Sequence, residues 1–89
     1  MSVRRFRVRG RVQGVGFRAF VLRAGRSLGL AGGVRNEADG SVTAVAEGAQ
    51  PALDELAARL AAGPPAARVE GVDEEALAAL PAERYDVRF

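Results

Sequence analysis

RFRVRGRVQGVGFRAFVLRAGRSLG, residues 5–29, changes its period in the middle. Up to Val12, the residues Phe6, Val8, Gly10 and Val12 alternate with Arg5, Arg7, Arg9 and Arg11. Successive side chains of a strand point to opposite faces, so this segment reads as a strand with one face on a core. From Phe17 onward the apolar positions are Phe17, Phe20, Val21, Ala24 and Leu28, the three- and four-residue spacing of one helix face, and Gly29 is a natural stop. Gly25, inside that helix, is unfavourable on propensity alone. Between the two periods lies a glycine-lined turn, Gln13-Gly14-Val15-Gly16, with Arg18 at the helix mouth.

Downstream, residues 33–47 read as a hairpin: Val34 and Val42–Ala46 flank a turn that ends in Asp39-Gly40, a strong turn pair. A second helix follows, with Pro51 in its first turn, Leu53, Leu56, Ala57 and Leu60 as its buried stripe, and Gly63-Pro64-Pro65 as its stop. Residues 67–72 are a short strand candidate. Residues 73–80 fit either one helical turn capped by Asp73 or a loop. The terminal RYDVRF alternates, with Tyr85, Val87 and Phe89 expected inward. The order is β-α-β-β-α-β, which predicts an α+β, ferredoxin-like sandwich with both helices on one face of an antiparallel sheet. No linker, repeat or low-complexity tract interrupts it, so residues 1–89 are expected to form one domain.

Composition narrows the chemistry. With no cysteine and no histidine, the chain has no disulfide, no thiolate or imidazole zinc site and no histidine-based acid–base scheme. No apolar run approaches a membrane span and MSVRRFRVRG is not an apolar signal region, so a cytoplasmic location is expected. The net charge of +2 hides an asymmetry: residues 1–35 hold nine arginines and no acid, whereas residues 36–89 hold four arginines and eleven acids.

The turn at 12–18 has its own physics. A strand-to-helix turn concentrates unpaired N–H groups, glycines let them converge, and the helix dipole adds positive potential, so an anion fits there. Arg18 in the first helical turn opposes that dipole by about 0.3–1 kcal/mol unless an anion sits nearby. The same residues fit a plain tight turn with a solvated arginine equally well. Gly14-x-Gly16-x-x-Ala19 with Asp39 also matches a dinucleotide fingerprint, but the chain is too short for two mononucleotide halves and Asp39 falls in a hairpin turn. A P-loop fails because no Gly-Lys-Ser/Thr is present.

Two longer blocks are more specific. Gly10-Arg11-Val12-Gln13-Gly14-Val15-Gly16-Phe17-Arg18 closely resembles the acylphosphatase signature, and Leu28 to Val42, LGLAGGVRNEADGSV, resembles that family's second motif. The resemblance covers essentially the whole chain and carries the same β-α-β-β-α-β fold. It implies hydrolysis of an acyl phosphate to a carboxylate and inorganic phosphate, with no metal or organic cofactor. The backbone amides of Gln13, Gly14, Val15, Gly16, Phe17 and Arg18 would cradle the phosphoryl group, Arg18 would bind its oxygens, and Asn36 would hold the attacking water for in-line displacement. On local grounds alone Asn36 is an ordinary turn residue. Position 33 is usually a large aromatic in such sequences and is Gly33 here, which suggests looser packing near Asn36.

The Arg5/Arg7/Arg9/Arg11 stripe carries a rival reading, a non-catalytic ferredoxin-like module that binds RNA across an open sheet face. Such modules stack bases on aromatics, and here the outward positions are arginines in a chain with 6% aromatic residues. The expectation is therefore a solvated face, with Glu47 and Asp86 as candidate partners for the arginines. Asp73, Glu74 and Glu75 are expected to be a solvated acidic segment. The expected partner is a small acyl phosphate, with neither membrane nor nucleic acid, and the expected state is a monomer.

Overall fold

The computed structural model describes residues 1–89. Its elements follow the chain as β1 (Ser2–Arg11), α1 (Phe17–Ser27), β2 (Ala31–Asn36), β3 (Val42–Gly48), α2 (Gln50–Ala62), β4 (Arg68–Leu77) and β5 (Val87–Arg88). The strands form one sheet in the order β4-β1-β3-β2-β5, with every neighbouring pair antiparallel. The expected ferredoxin-like arrangement is present, with a two-residue fifth strand added at one edge.

Register explains which residues meet. Phe6, Ala44 and Val34 align across β1, β3 and β2, and all three are buried in the core under the helices. α1 contributes Phe17, Val21 and Ala24 to that core, and α2 contributes Leu53, Leu56 and Leu60, each of which is fully buried. Burial of such a side chain is worth about 1.5–3 kcal/mol, so these residues decide where the helices lie. Phe20, expected in the stripe, is only half-buried and tilts against Phe17 with ring centroids 5.8 Å apart. At the end of α1, the Leu30 N–H donates to Gly25 O and the Gly29 N–H to Arg26 O, with Gly29 at φ 70°, so the chain leaves the helix where the glycine signalled. Gly25 itself has a packing reason. A Cβ there would come within 2.7 Å of the Phe89 ring.

Residues 73–77 correct the sequence reading. They are neither a helical turn nor a loop but the second half of β4, paired with β1 from Val3↔Leu77 to Arg7↔Asp73. EEALAAL favours a helix locally, but an unpaired edge of β1 offers a full ladder of N–H and C=O groups, and tertiary pairing overrides propensity. The register shifts between Arg9, which faces Gly71, and Gly10, which faces Val69, so Glu70 of β4 is the extra residue of a bulge beside Gly10.

The face opposite the helices is not open. Because β4 and β5 lie at opposite edges, residues 78–86 must cross the sheet. They do so over the row Arg5–Val45–Gly33. Glu83 pairs there with Arg5 and, at 3.2 Å, with Arg35, while the Tyr85 ring lies against Gly33. Val3 and Val45 are buried without belonging to the core cluster under the helices. Tyr85, expected to close that core with Val87 and Phe89, is on the other side of the sheet, and Arg88 stands 5.1 Å from its ring centre. Val87 and Phe89 do pack against the helix-side core.

The arginine stripe is correspondingly paired. Arg5 binds Glu75 at 3.0 Å as well as Glu83, Arg7 binds Asp39, and Arg9 binds Asp73 at 3.0 Å, whereas Arg11 makes no ion pair. The partners proposed from parity, Glu47 and Asp86, are not the ones used. Exposed pairs of this kind contribute about 0–1 kcal/mol each, so they organise charge more than they stabilise the fold.

Candidate active site

The turn between β1 and α1 takes the conformation its glycines allow. Gly14 has φ 74° and Gly16 has φ 77° with ψ 19°, the left-handed region, and a Cβ at either would meet nothing within 4 Å. The requirement for glycine is therefore conformational rather than steric. Gly16 caps α1 without a side-chain hydrogen bond, and the first helical bond runs from the Phe20 N–H to Gly16 O. Outside the regular elements no backbone hydrogen bond is donated by residues 13–19. A run of free N–H groups at the positive end of a helix is an anion-binding arrangement.

Around this turn lies a cleft of about 370 Å³ lined by Val12, Gly14, Gly16, Phe17, Arg18, Ala19, Leu22, Asn36 and Val87. Gly14, Gly16, Phe17, Arg18 and Asn36 are thus brought together from residues that the sequence separates by up to 22 positions. Gln13 and Val15 do not line it. The Gln13 side chain turns the other way, where its Nε2 donates to Glu37 O at 2.7 Å and to Ser41 O at 3.0 Å. It fastens the glycine loop to the β2–β3 turn that follows Asn36.

Asn36 is the last residue of β2. Its Oδ1 is buried and has no hydrogen-bond partner in the protein. A buried amide oxygen left unpaired costs free energy, so the site favours a small donor molecule there. The turn after Asn36 is held firmly: Asp39 accepts from the Ser41 N–H at 2.9 Å and from Ser41 Oγ at 2.6 Å, and it also pairs with Arg7. These bonds, Ser41's first, lower the Asp39 carboxyl to about 2. Glu37 is also held below its usual range, first by hydrogen bonding from Thr43 and then by Arg35.

Sequence reasoning missed one polar residue at the site. Asp86, just before β5, accepts through Oδ2 from Arg18 Nη1 at 2.9 Å and from the Asn36 backbone N–H at 2.8 Å. The Asn36 N–H first, and then Arg18, hold its carboxyl below the ordinary carboxylate range. Its place in an alternating terminal strand carried no sign of these partners. The lining by Ala19, Leu22 and Val87 was equally unmarked.

The acylphosphatase family model matches residues 4–87. The chain is 50% identical over 84 residues to an acylphosphatase of Synechococcus sp. (strain RCC307), covering 94% of this chain and 72% of that protein. It is 49% identical over 85 residues to an acylphosphatase of Xanthomonas euvesicatoria pv. vesicatoria, covering 96% and 97%. The crystal structure of acylphosphatase from Bacillus subtilis superimposes with a TM-score of 0.87 at 36% identity, covering 96% of this chain and 94% of that one. With a family model matched over residues 4–87 and relatives about 50% identical over most of their length, the chain belongs to the acylphosphatase family, hydrolases of acyl phosphates.

Proposed function

We propose that the free N–H groups of the 13–18 loop and the Arg18 guanidinium bind the phosphoryl group of an acyl phosphate while Asn36 holds the water that attacks it. The observation that carries this reading is that unpartnered groups share one cleft: Gly14, Gly16, Phe17 and Arg18, whose backbone N–H groups have no acceptor, line it together with Asn36, whose buried amide oxygen has no donor. The donors suit an anion, and the Asn36 oxygen suits a hydrogen of water.

The water oxygen forms a bond to phosphorus as the bond from phosphorus to the acyl oxygen breaks. The carboxylate leaves with that electron pair, and the water protons stay with the phosphate product and solvent. A carboxylate is a good leaving group, so no strong general acid is needed. Phosphoryl transfer relies mainly on positioning and charge stabilisation. This accounts for hydrolysis by a chain without histidine or cysteine. Pairing of Arg5, Arg7 and Arg9 with carboxylates, and the crossing of residues 78–86 over the sheet, weigh against RNA binding on that face. We further propose that residues 1–89 act as one domain, as a monomer in the cytoplasm. No helix is long and apolar enough to cross a membrane.

The test is hydrolysis of acetyl phosphate in the presence of a chelator by the wild type, Arg18→Ala and Asn36→Ala, each first shown to be folded. Turnover that survives chelation and collapses in both variants is expected. Wild-type turnover unaffected by either substitution would remove both residues from the mechanism.

A further inference from the structure

We propose that Asp86 is a positioning residue for this hydrolysis: one carboxylate oxygen ties the Arg18 guanidinium to the end of β2 and so sets the phosphoryl ligand and the water-holding asparagine in register. This rests on the reading of Arg18 and Asn36 given above. The same oxygen, Oδ2, accepts from Arg18 Nη1 at 2.9 Å and from the Asn36 N–H at 2.8 Å. No other residue of the chain hydrogen-bonds the Arg18 side chain.

The tether addresses a specific difficulty. Arg18 projects from the first turn of α1 and is 44% exposed. An untethered arginine samples many rotamers and would have to be ordered by the substrate itself. Asp86 engages only Nη1, which leaves Nε and Nη2 as a two-pronged donor edge of the kind that grips two phosphate oxygens. Its own place is rigid. The Asp86 N–H donates to Val34 O at 3.1 Å, and Val87, the next residue, pairs with Val34 in the sheet. The carboxylate also supplies the anion that a cation at a helix N-terminus otherwise lacks in the absence of substrate.

The arrangement has a cost that can be measured. A carboxylate beside the phosphoryl site repels inorganic phosphate, so Asp86 should weaken product binding even as it orients Arg18. Asparagine at position 86 keeps an oxygen able to accept both bonds but removes the charge.

The experiment measures kcat and KM for acetyl phosphate, inhibition by inorganic phosphate and thermal unfolding for the wild type, Asp86→Ala and Asp86→Asn. Asp86→Ala is expected to lower kcat by about tenfold or more with KM changed by less than about threefold, as expected when a reacting group is misplaced. Asp86→Asn is expected to lose less than about threefold in kcat and to bind inorganic phosphate more tightly than the wild type. A purely structural role would lower the unfolding temperature without strengthening phosphate binding. Asp86→Ala with wild-type or higher kcat would overturn the proposal, as would Asp86→Asn as impaired as Asp86→Ala. If Asp86→Ala does not fold, Asp86→Asn decides: unchanged phosphate inhibition overturns the proposal. Arg18→Ala measured alongside separates the two levels, because phosphate inhibition that survives that substitution sinks the reading of Arg18 and not the role of Asp86 alone.

Discussion

Tyr85 occupies the space that a side chain at position 33 would need: a Cβ built on Gly33 comes within 2.5 Å of the Tyr85 ring. The aromatic expected on β2 is thus replaced by one from the crossing that leads to β5, on the face opposite the helices. Gly33→Ala is expected to destabilise the protein by about 1–3 kcal/mol, the usual cost of overpacking. In a Tyr85→Ala background the same substitution should cost much less. Urea denaturation of the four proteins of this cycle gives the coupling directly, and additive effects would show that the two positions do not compete for space.

Gly25 should behave against its helix propensity. In an exposed helix, glycine to alanine gains about 0.5–1 kcal/mol. Here the new methyl group meets the Phe89 ring at 2.7 Å, so Gly25→Ala is expected to lower the unfolding temperature. In a Phe89→Ala background the sign should revert to stabilising.

Gln13 links the two halves of the site. Gln13→Ala removes the donor shared by Glu37 O and Ser41 O. The expected cost in stability is about 1 kcal/mol. Activity should fall by about tenfold, because the amide loop is no longer fixed against the turn beside Asn36. Denaturation and acetyl phosphate turnover on the same preparation check both, and a stability loss with unchanged kcat would confine Gln13 to a structural role.

Acid should unfold the protein through its turn carboxylates. Asp39 has a folded pKa of about 2 against an ordinary 3.8, and Glu37 and Asp86 are lowered as well. A carboxylate with a lowered folded pKa contributes stability that is present above its unfolded value and lost as pH falls through the folded one. Stability should therefore be level above about pH 5 and decline between roughly pH 4 and 2. Asp39→Asn is expected to flatten part of that decline, as read from denaturation midpoints across the range. A wild-type-like slope in that variant would mean that Asp39 is not among the groups responsible.

Much of this fold is written locally. The change from period two to helical spacing between Val12 and Phe17 places β1 and α1, Asp39-Gly40 marks the hairpin, and Gly63-Pro64-Pro65 ends α2. Each is legible because alternation, helical spacing and turn chemistry depend on residues a few positions apart. The two motif blocks likewise carry Arg18 and Asn36 in plain view. Tertiary structure alone decided the rest. Residues 74–77, the first part of EEALAAL, became strand because the edge of β1 needed a partner, against their own helical preference. Tyr85 went to the face opposite the helices because β4 and β5 lie at opposite edges and the chain between them must cross. Asp86 reached Arg18, 68 residues earlier, only because β5 pairs with β2 beside the mouth of α1. Pairings of that range are set by which edge is free and which face is uncovered, and neither property belongs to any short stretch of sequence.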